Sequence, residues 1–513
     1  MAFEPLIREI DTKILKNLGT AKTQANVVLS TTNDKKIARV LSVSALPCVE
    51  SLIPNMGTAA IEGKVNAQAL VLTTEGEYLS LSGTINYSAM FNSQIIMAES
   101  KIFGCARSLG NDKIIATENS ISFINYIEIP LIITQNQILE YVESASVAEQ
   151  KVGSMLYSDL INLSNENFDI NNEIELPSSV SKVISTETTG ILKDAIAGND
   201  MVTLKGEIYV TLVYMTNDEV PKLRSQVYTQ DFTQEMLLTG VTTDNQISAG
   251  ISVYGSTFEV QGELNSSKGV ILLKTNFKSY IFAQAEKVLD VIEDAFCPKY
   301  ELKLGHKSYS KQSIICKKYI TDKVDGNISL DENAPRIDKV IATTAVSATI
   351  SDIKIIDENV VASGVVFANV IYLLDDEGNT TQSIQVELPY ETVILCENIK
   401  QEDNILLEVA VKDIEARNKK SKEIDVLAEI GINIIVSDFT NEAILSNIEL
   451  GERRKENCSA MGVYVISQAN EVWDVAKKLL VAPDLIYQQN PDISFPITKA
   501  TQILVYRQRY SNN

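Results

Sequence analysis

The chain has 513 residues, enough for three or four folding units of roughly 150 residues each. It carries 45 lysines and arginines against 67 aspartates and glutamates, and the formal net charge of -22 repels nucleic-acid backbones and anionic lipid head groups. Any zinc site with a histidine ligand, and any Ser-His-Asp triad, would have to use His306, the single histidine. We therefore expect a folded protein that is not an enzyme, has no cofactor or metal, and does not bind nucleic acid.

The N-terminal segment predicts a short helix. Residues 11–18 combine apolar and polar residues before Gly19, so residues 1–24 are interpreted as an N-terminal helical extension. The first residues lack a basic segment followed by an apolar run, and nowhere do about 18 apolar residues stand together. We expect neither a standard secretion signal nor a transmembrane segment.

One pattern recurs three times: an apolar residue, any residue, a cation and two apolar residues. The instances are 37–41, 180–184 and 337–341. A glycine follows the first residue of each after 26, 26 and 27 positions, at Gly63, Gly206 and Gly364. The residues after each glycine alternate between the two faces of a strand and are rich in β-branched and aromatic types. This pattern predicts a β-strand with at least one buried face.

The spacing of these glycines indicates repeated domains. They stand 143 and 158 residues apart, which is far longer than a solenoid repeat and long enough for a domain. We predict a mainly β protein with three tandem β-rich repeats at 25–165, 166–307 and 328–452. The lysine-rich segment 308–327 is interpreted as a linker or hairpin.

The last residues form a unit of different composition. Residues 451–513 contain eight cations and six anions, a charge of +2 against -24 for everything before them. A strand at 463–466, apolar residues at helical spacing in 471–480, Pro483 at the start of a second helix, and a strand at 502–506 follow one another. We predict a small α+β domain at 458–513 with the order strand, helix, helix, strand.

This unit resembles a LysM domain. The residues that carry the resemblance are Tyr464 in the opening strand, 472–477 in the first helix and 490–493 after the second. LysM domains usually bind glycans that contain N-acetylglucosamine, such as peptidoglycan, through the loops after the first strand and the second helix. The first loop here reads Ala-Asn-Glu at 469–471 where the family typically has Gly-Asp-Thr, so peptidoglycan is the less favoured partner.

Three β-rich repeats followed by a LysM-like unit resemble the SPOCS-domain spore proteins of endospore formers. The resemblance implies a coat morphogenetic adaptor in the mother-cell cytoplasm, located at the forespore surface and in the spore coat. Its partner would be the coat basement ATPase SpoIVA, bound through the LysM domain. The repeats would recruit other coat proteins or self-associate, since strand edges are templates for pairing.

Four residues of the C-terminal unit are predicted to form the docking surface: Val463, Tyr464, Trp473 and Lys477. Trp473, the single tryptophan of the chain, could equally cap the small core or anchor a partner. The main alternative is a protein that holds cortex or cell-wall peptidoglycan through the LysM unit. An enzyme with carboxylates in one repeat is the weakest alternative, because the three copies share no acidic pair.

Overall fold

The computed structural model describes residues 4–31, 35–146, 148–262, 269–331, 333–376, 378, 380–454 and 461–506. Within these ranges the chain is almost entirely antiparallel β-sheet, with two short helices near the C-terminus. The prediction of a mainly β fold is confirmed. The C-terminal domain was predicted to span residues 458–513. Its first residue, Cys458, and its last residues, 507–513, lie outside the described ranges.

The described residues from 4 to 145 form a two-sheet sandwich. Its strands are β1 (Pro5–Ser30), β2 (Ile37–Asn55), β3 (Thr58–Thr73), β4 (Tyr78–Asn92), β5 (Ile102–Gly104), β6 (Arg107–Ala116) and β7 (Ser120–Ala145). The sheet β2-β3-β4 packs against a second sheet in which β7 pairs with β1, β5 and β6. Apolar residues of both sheets fill the space between them, as the alternating pattern requires.

Two more sandwiches follow with the same arrangement. The second contains β8 (Glu149–Ser164), β9 (Asn167–Glu175), β10 (Val180–Ala197), β11 (Met201–Thr216), β12 (Leu223–Leu237), β13 (Gln246–Gln261) and β14 (Val270–Phe296). The third contains β15 (Tyr300–Ser329), β16 (Ile337–Ile356), β17 (Asn359–Leu374), β18 (Thr381–Leu395), β19 (Asn404–Lys420) and β20 (Glu423–Arg453). In each, a three-stranded sheet faces a sheet built around one long strand, β14 or β20.

The recurring motif opens the first strand of each three-stranded sheet and carries two β-bulges. In β2 the register shifts between Ile37 and Arg39 and again between Val40 and Ser42. The equivalent shifts occur in β10 and β16. A bulge redirects a side chain that regular alternation would place elsewhere, and Leu41 and Ile341 both reach the centre of the molecule.

A common apolar core joins the three sandwiches. Leu70, Val213 and Ile371 each stand seven residues past the repeat glycine, and all three are at most 3% exposed in the same cluster. Leu41 and Ile341 belong to this cluster too. The three sandwiches therefore pack against one another around a shared core and are not separate domains joined only by linkers.

The outer halves of the long strands form a second junction, the ribbon bundle. It consists of three two-stranded ribbons, 5–15 with 134–145, 149–160 with 284–296, and 300–314 with 437–453. Tyr141, Tyr157 and Tyr309, one from each ribbon, pack in a single cluster. The Tyr309 hydroxyl donates to the Ser158 carbonyl at 2.8 Å, which satisfies its buried polar atom.

Two sequence predictions are wrong here. Residues 11–18 are not helical: they lie in β1 and pair with β7, and Gly19 sits at a register shift with φ of 111°. The segment 308–327 is neither linker nor hairpin, because it is the interior of β15 and pairs with β20 along its whole length. From residue 320 to residue 327 exposed residues alternate with less exposed ones, which is strand patterning in a polar sequence.

The predicted boundary between the first two repeats also differs from the structure. Residues 149–164 were assigned to the first repeat, whereas they form β8 and pair with β14 of the second sandwich. The reason is that each sandwich begins with an outer strand that precedes the recurring motif. Local sequence patterns do not reveal to which sheet such a strand belongs.

Candidate interaction surface

The C-terminal unit contains β21 (Met461–Ile466), α1 (Val472–Leu479), α2 (Pro483–Gln489) and β22 (Thr501–Tyr506), which is the predicted order. A capping box starts α1: the Asp474 carboxylate accepts from the backbone N–H groups of Asn470 and Glu471, at 2.9 and 3.1 Å. Leu480 ends the helix in a left-handed conformation. Pro483 occupies the first turn of α2.

Side-chain hydrogen bonds fasten α2 to β22. Asn490 donates to the Leu504 carbonyl and accepts from the Leu504 N–H, both at 2.8 Å. The Gln489 amide makes the same pair of bonds with Tyr506. These bonds occupy the outer backbone edge of β22, so a partner cannot add a strand there.

The four predicted docking residues do not share one face. Val463 is 61% exposed on the outer face of β21, while its neighbour Tyr464 packs against the core of the unit. Trp473 is only 8% exposed, and the Lys477 ammonium is engaged with Asp294 of the second sandwich. Adjacent strand residues point to opposite sides, so Val463 and Tyr464 could not have formed one surface.

An exposed apolar face surrounds Val463. Met461 and Val465 lie two residues away on β21 and are 61% and 62% exposed. On the paired strand β22, Leu504 lies opposite Val463, and Tyr506, which is 54% exposed, lies opposite Met461. We call these five residues the β21–β22 face. The alternation of 461, 463 and 465 was visible in the sequence, but only the structure shows that no described residue covers this side.

The other side of the unit rests on the ribbon bundle. Trp473 Nε1 donates to Asp294 Oδ2 at 2.9 Å, and Lys477 Nζ lies 2.8 and 2.6 Å from the two oxygens of the same carboxylate. The Trp473 and Phe296 rings are 5.1 Å apart between centroids. Lys151 adds an ion pair with Glu471 at 2.8 Å. We call these contacts the latch.

The latch is electrostatically matched. Burial raises the pKa of Asp294, but the Lys477 ammonium and the Trp473 N–H outweigh burial, so the pKa lies below its ordinary value. The Ala295 N–H also donates to this carboxylate, at 2.9 Å, because a bulge in β14 precedes Asp294. No signal in the sequence could have paired Asp294 with Trp473, since 179 positions separate them.

The described residues contain no group of three His, Cys, Asp or Glu side chains arranged to hold a metal. Among them no helix is long and apolar enough to cross a bilayer.

Comparison with known families identifies one segment. Residues 336–419 match the family described as SipL, SPOCS domain. The matched range covers β16, β17, β18 and nearly all of β19 in the third sandwich. Comparisons with curated proteins and with solved structures found no significant match to the chain.

Proposed function

We propose that this chain, which carries a SipL SPOCS domain at 336–419, is a non-enzymatic adaptor of spore coat assembly. The match over the third sandwich carries the proposal and supports a role in sporulation and the spore coat. The C-terminal unit, interpreted as a LysM domain, binds the coat basement ATPase SpoIVA. The three sandwiches, interpreted as SPOCS-like repeats, recruit other coat proteins around the forespore in the mother-cell cytoplasm.

The β21–β22 face supports this role for the C-terminal unit. Apolar side chains that are more than half exposed lower the free energy of a complex when a partner covers them. A central apolar patch with a polar surround is also the usual anatomy of a protein-protein interface.

Replacing Val463 by arginine should weaken SpoIVA binding by about tenfold or more, because a charge would lie in the centre of the β21–β22 face. The fold should persist, since Val463 is 61% exposed. Biolayer interferometry of the full chain against purified SpoIVA measures the effect. The matched control is Val220→Arg, at a residue that is 71% exposed in the second sandwich. Equal loss of binding in both variants would contradict the assignment of the face.

Replacing Trp473 by glutamate should abolish SpoIVA binding and leave the three sandwiches folded. Trp473 contributes to the small core of the C-terminal unit, and a second carboxylate would be repelled by Asp294. Far-UV circular dichroism checks the sandwiches, and the control is Lys478→Glu, an exposed position on the same helix. Full binding by Trp473→Glu would show that SpoIVA binding does not depend on Trp473.

Peptidoglycan binding is the alternative function, and the strand, helix, helix, strand order of the C-terminal unit favours it. A side-by-side pull-down of the full chain on immobilised SpoIVA and on insoluble peptidoglycan separates the two. Retention by SpoIVA alone supports the adaptor. Retention by peptidoglycan alone means that the C-terminal unit is a glycan-binding module and that contact with the coat lies in the sandwiches.

A further inference from the structure

The latch places two of the four residues predicted for partner docking in an intramolecular contact. Trp473 and Lys477 stand four positions apart on α1, so they share one helix face. Asp294 and Phe296 stand two positions apart at the end of β14, so they share one strand face. The carboxylate meets the ammonium and the indole N–H, while the phenyl ring meets the indole ring.

The geometry points to a recognition surface for a specific kind of segment. We propose that Trp473 and Lys477 recognise an extended segment carrying a carboxylate and, two residues later, an aromatic side chain, and that Asp294 and Phe296 occupy this surface in cis. The inference rests on the proposed function, because the competing segment belongs to the partner that the C-terminal unit binds. The latch is then autoinhibitory for this part of the contact: the face around Val463 stays accessible, and full binding requires the unit to leave the ribbon bundle.

The latch has the properties of a contact that can open. It depends on three polar side-chain interactions and one ring pair, and the Lys477 and Asp294 side chains are 46% and 24% exposed. Partly solvated ion pairs of this kind are weakened by solvent screening. If only a fraction of the molecules has an open latch, the apparent affinity for the partner is the affinity of the open form multiplied by that fraction. Opening the latch therefore raises the apparent affinity.

The single tryptophan of the chain reports the latch directly. In the Asp294→Asn variant of the full chain, the fluorescence of Trp473 should shift to longer wavelength and acrylamide should quench it more strongly. SpoIVA affinity should increase by about threefold or more, measured by biolayer interferometry. The matched control, Asp290→Asn, changes an exposed aspartate on the same strand and should leave both readouts as in the wild type.

The outcomes separate the two proposals. If Trp473 becomes accessible and SpoIVA affinity stays the same or falls, the latch does not compete with the partner and the inference is overturned. If Trp473 accessibility stays unchanged in Asp294→Asn and in the charge-reversed Asp294→Lys, no such latch closes the surface in solution. If neither the wild type nor any variant binds SpoIVA, the proposed function fails, whereas the fluorescence still tests the latch itself.

A pair of buried thiols carries a second, independent inference. Cys316 on β15 and Cys396 just after β18 have their sulfurs 2.7 Å apart in the core of the third sandwich. The two residues are 6% and 4% exposed and belong to opposite sheets. Nothing in the spacing of the six cysteines singles them out, because 80 positions separate them.

We infer that Cys316 and Cys396 form a disulfide when a low-molecular-weight disulfide is present. This bond would covalently link the two sheets of the third sandwich. One thiolate attacks the small disulfide and releases one small thiol. The second thiolate then attacks the mixed disulfide and releases the other, so two small thiols and one protein disulfide result. Burial raises the pKa of Cys396 to about 12, which makes the exchange slow in the folded chain and faster during folding.

Refolding the full chain with oxidised glutathione tests the pair, with reduced glutathione as the reference. Non-reducing peptide mapping should find one crosslink, between Cys316 and Cys396, and the crosslinked protein should have the higher Tm. Cys316→Ser should abolish both effects, and Cys297→Ser, another buried cysteine, should abolish neither. Free thiols at both positions after oxidative refolding, or a crosslink elsewhere, would overturn the inference.

Discussion

Replacing Gly364 by alanine should destabilise the protein by about 3 kcal/mol or more. A Cβ at this position would lie 1.9 Å from the Thr349 carbonyl and 2.5 Å from the Tyr390 hydroxyl. Tyr390 cannot turn away without cost, because it is the cross-strand partner of Gly364 and its hydroxyl donates to the same carbonyl at 2.8 Å. Alanine normally restricts the unfolded chain and stabilises by up to about 1 kcal/mol, too little to offset this clash.

The other two repeat glycines have the same surroundings. Gly63 pairs with Tyr87 and Gly206 with Phe232, and a Cβ at either would lie 2.3 to 2.7 Å from the ring and a backbone carbonyl. The glycine therefore recurs because an aromatic ring of the neighbouring strand lies across it. Alanine at Gly63 or Gly206 should be as harmful as at Gly364.

Urea unfolding of the full chain measures this effect through the transition midpoint. Gly305→Ala is the matched control, since Gly305 also lies in a strand but its Cβ would be 3.4 Å from the nearest atom, an ordinary contact. It should change stability by less than about 1 kcal/mol. A Gly364→Ala protein as stable as Gly305→Ala would contradict the packing described here.

Raising the pH from 4 to 8 should lower the stability of the junction between the second and third sandwiches. Each of these sandwiches places one buried glutamate in contact with the other, and both glutamates ionise in this pH range. Glu187 of β10 accepts from the Ala345 N–H of β16, at 2.5 Å. Glu408 of β19 accepts from the Ile251 N–H of β13 at 2.9 Å and from the Tyr280 hydroxyl at 3.2 Å. Each lines a small cavity, and no described ion pair neutralises either.

Burial raises the pKa of each carboxyl from an ordinary 4.5 to about 7, although Arg107 lowers the pKa of Glu408. A folded-state pKa above the unfolded value means that the stabilisation is complete below pH 4.5. It is lost as the pH rises to about 7 and does not change further above that. The loss is roughly 3 kcal/mol for each carboxyl.

The double variant Glu187→Gln/Glu408→Gln isolates this effect from all other titrations. It should be close to the wild type in stability at pH 4 and more stable at pH 8, by up to roughly 6 kcal/mol, in urea unfolding. Glu207→Gln is the control of opposite sign. Burial raises the pKa of Glu207, but Lys193 and Tyr209 outweigh it and hold the pKa below its ordinary value. That variant should lose stability at pH 8, and parallel pH profiles for all three proteins would refute the prediction.

The helical prediction for residues 11–18 shows where local patterns fail. Ile14, Leu15 and Leu18 fit a helix as well as a strand, and short apolar runs do not distinguish the two. The choice is made by β7, whose residues 131–138 pair with this segment from more than 110 positions away. The same reasoning applies to 308–327, which is extended because β20 pairs with it.

The docking residues of the C-terminal unit were predicted only in part from the sequence. The sequence placed Val463 in the opening strand and Trp473, the single tryptophan, in the first helix. Whether Trp473 caps the core or meets a partner could not be decided from either element, because the answer depends on Asp294 and Phe296 in another sandwich. A pattern states which face of an element is apolar, and only the packed neighbours state what covers that face.

The sequence by itself determined the β class, the three glycine-led strands and the order of the C-terminal unit. These follow from period-two and period-3.6 patterning and from glycine, which are local properties of the chain. The tertiary structure decided the assembly of the three sandwiches around Leu70, Val213 and Ile371, and the attachment of the C-terminal unit to Asp294. Both depend on contacts between residues more than 140 positions apart, whose energy exists only once the sheets have brought them together.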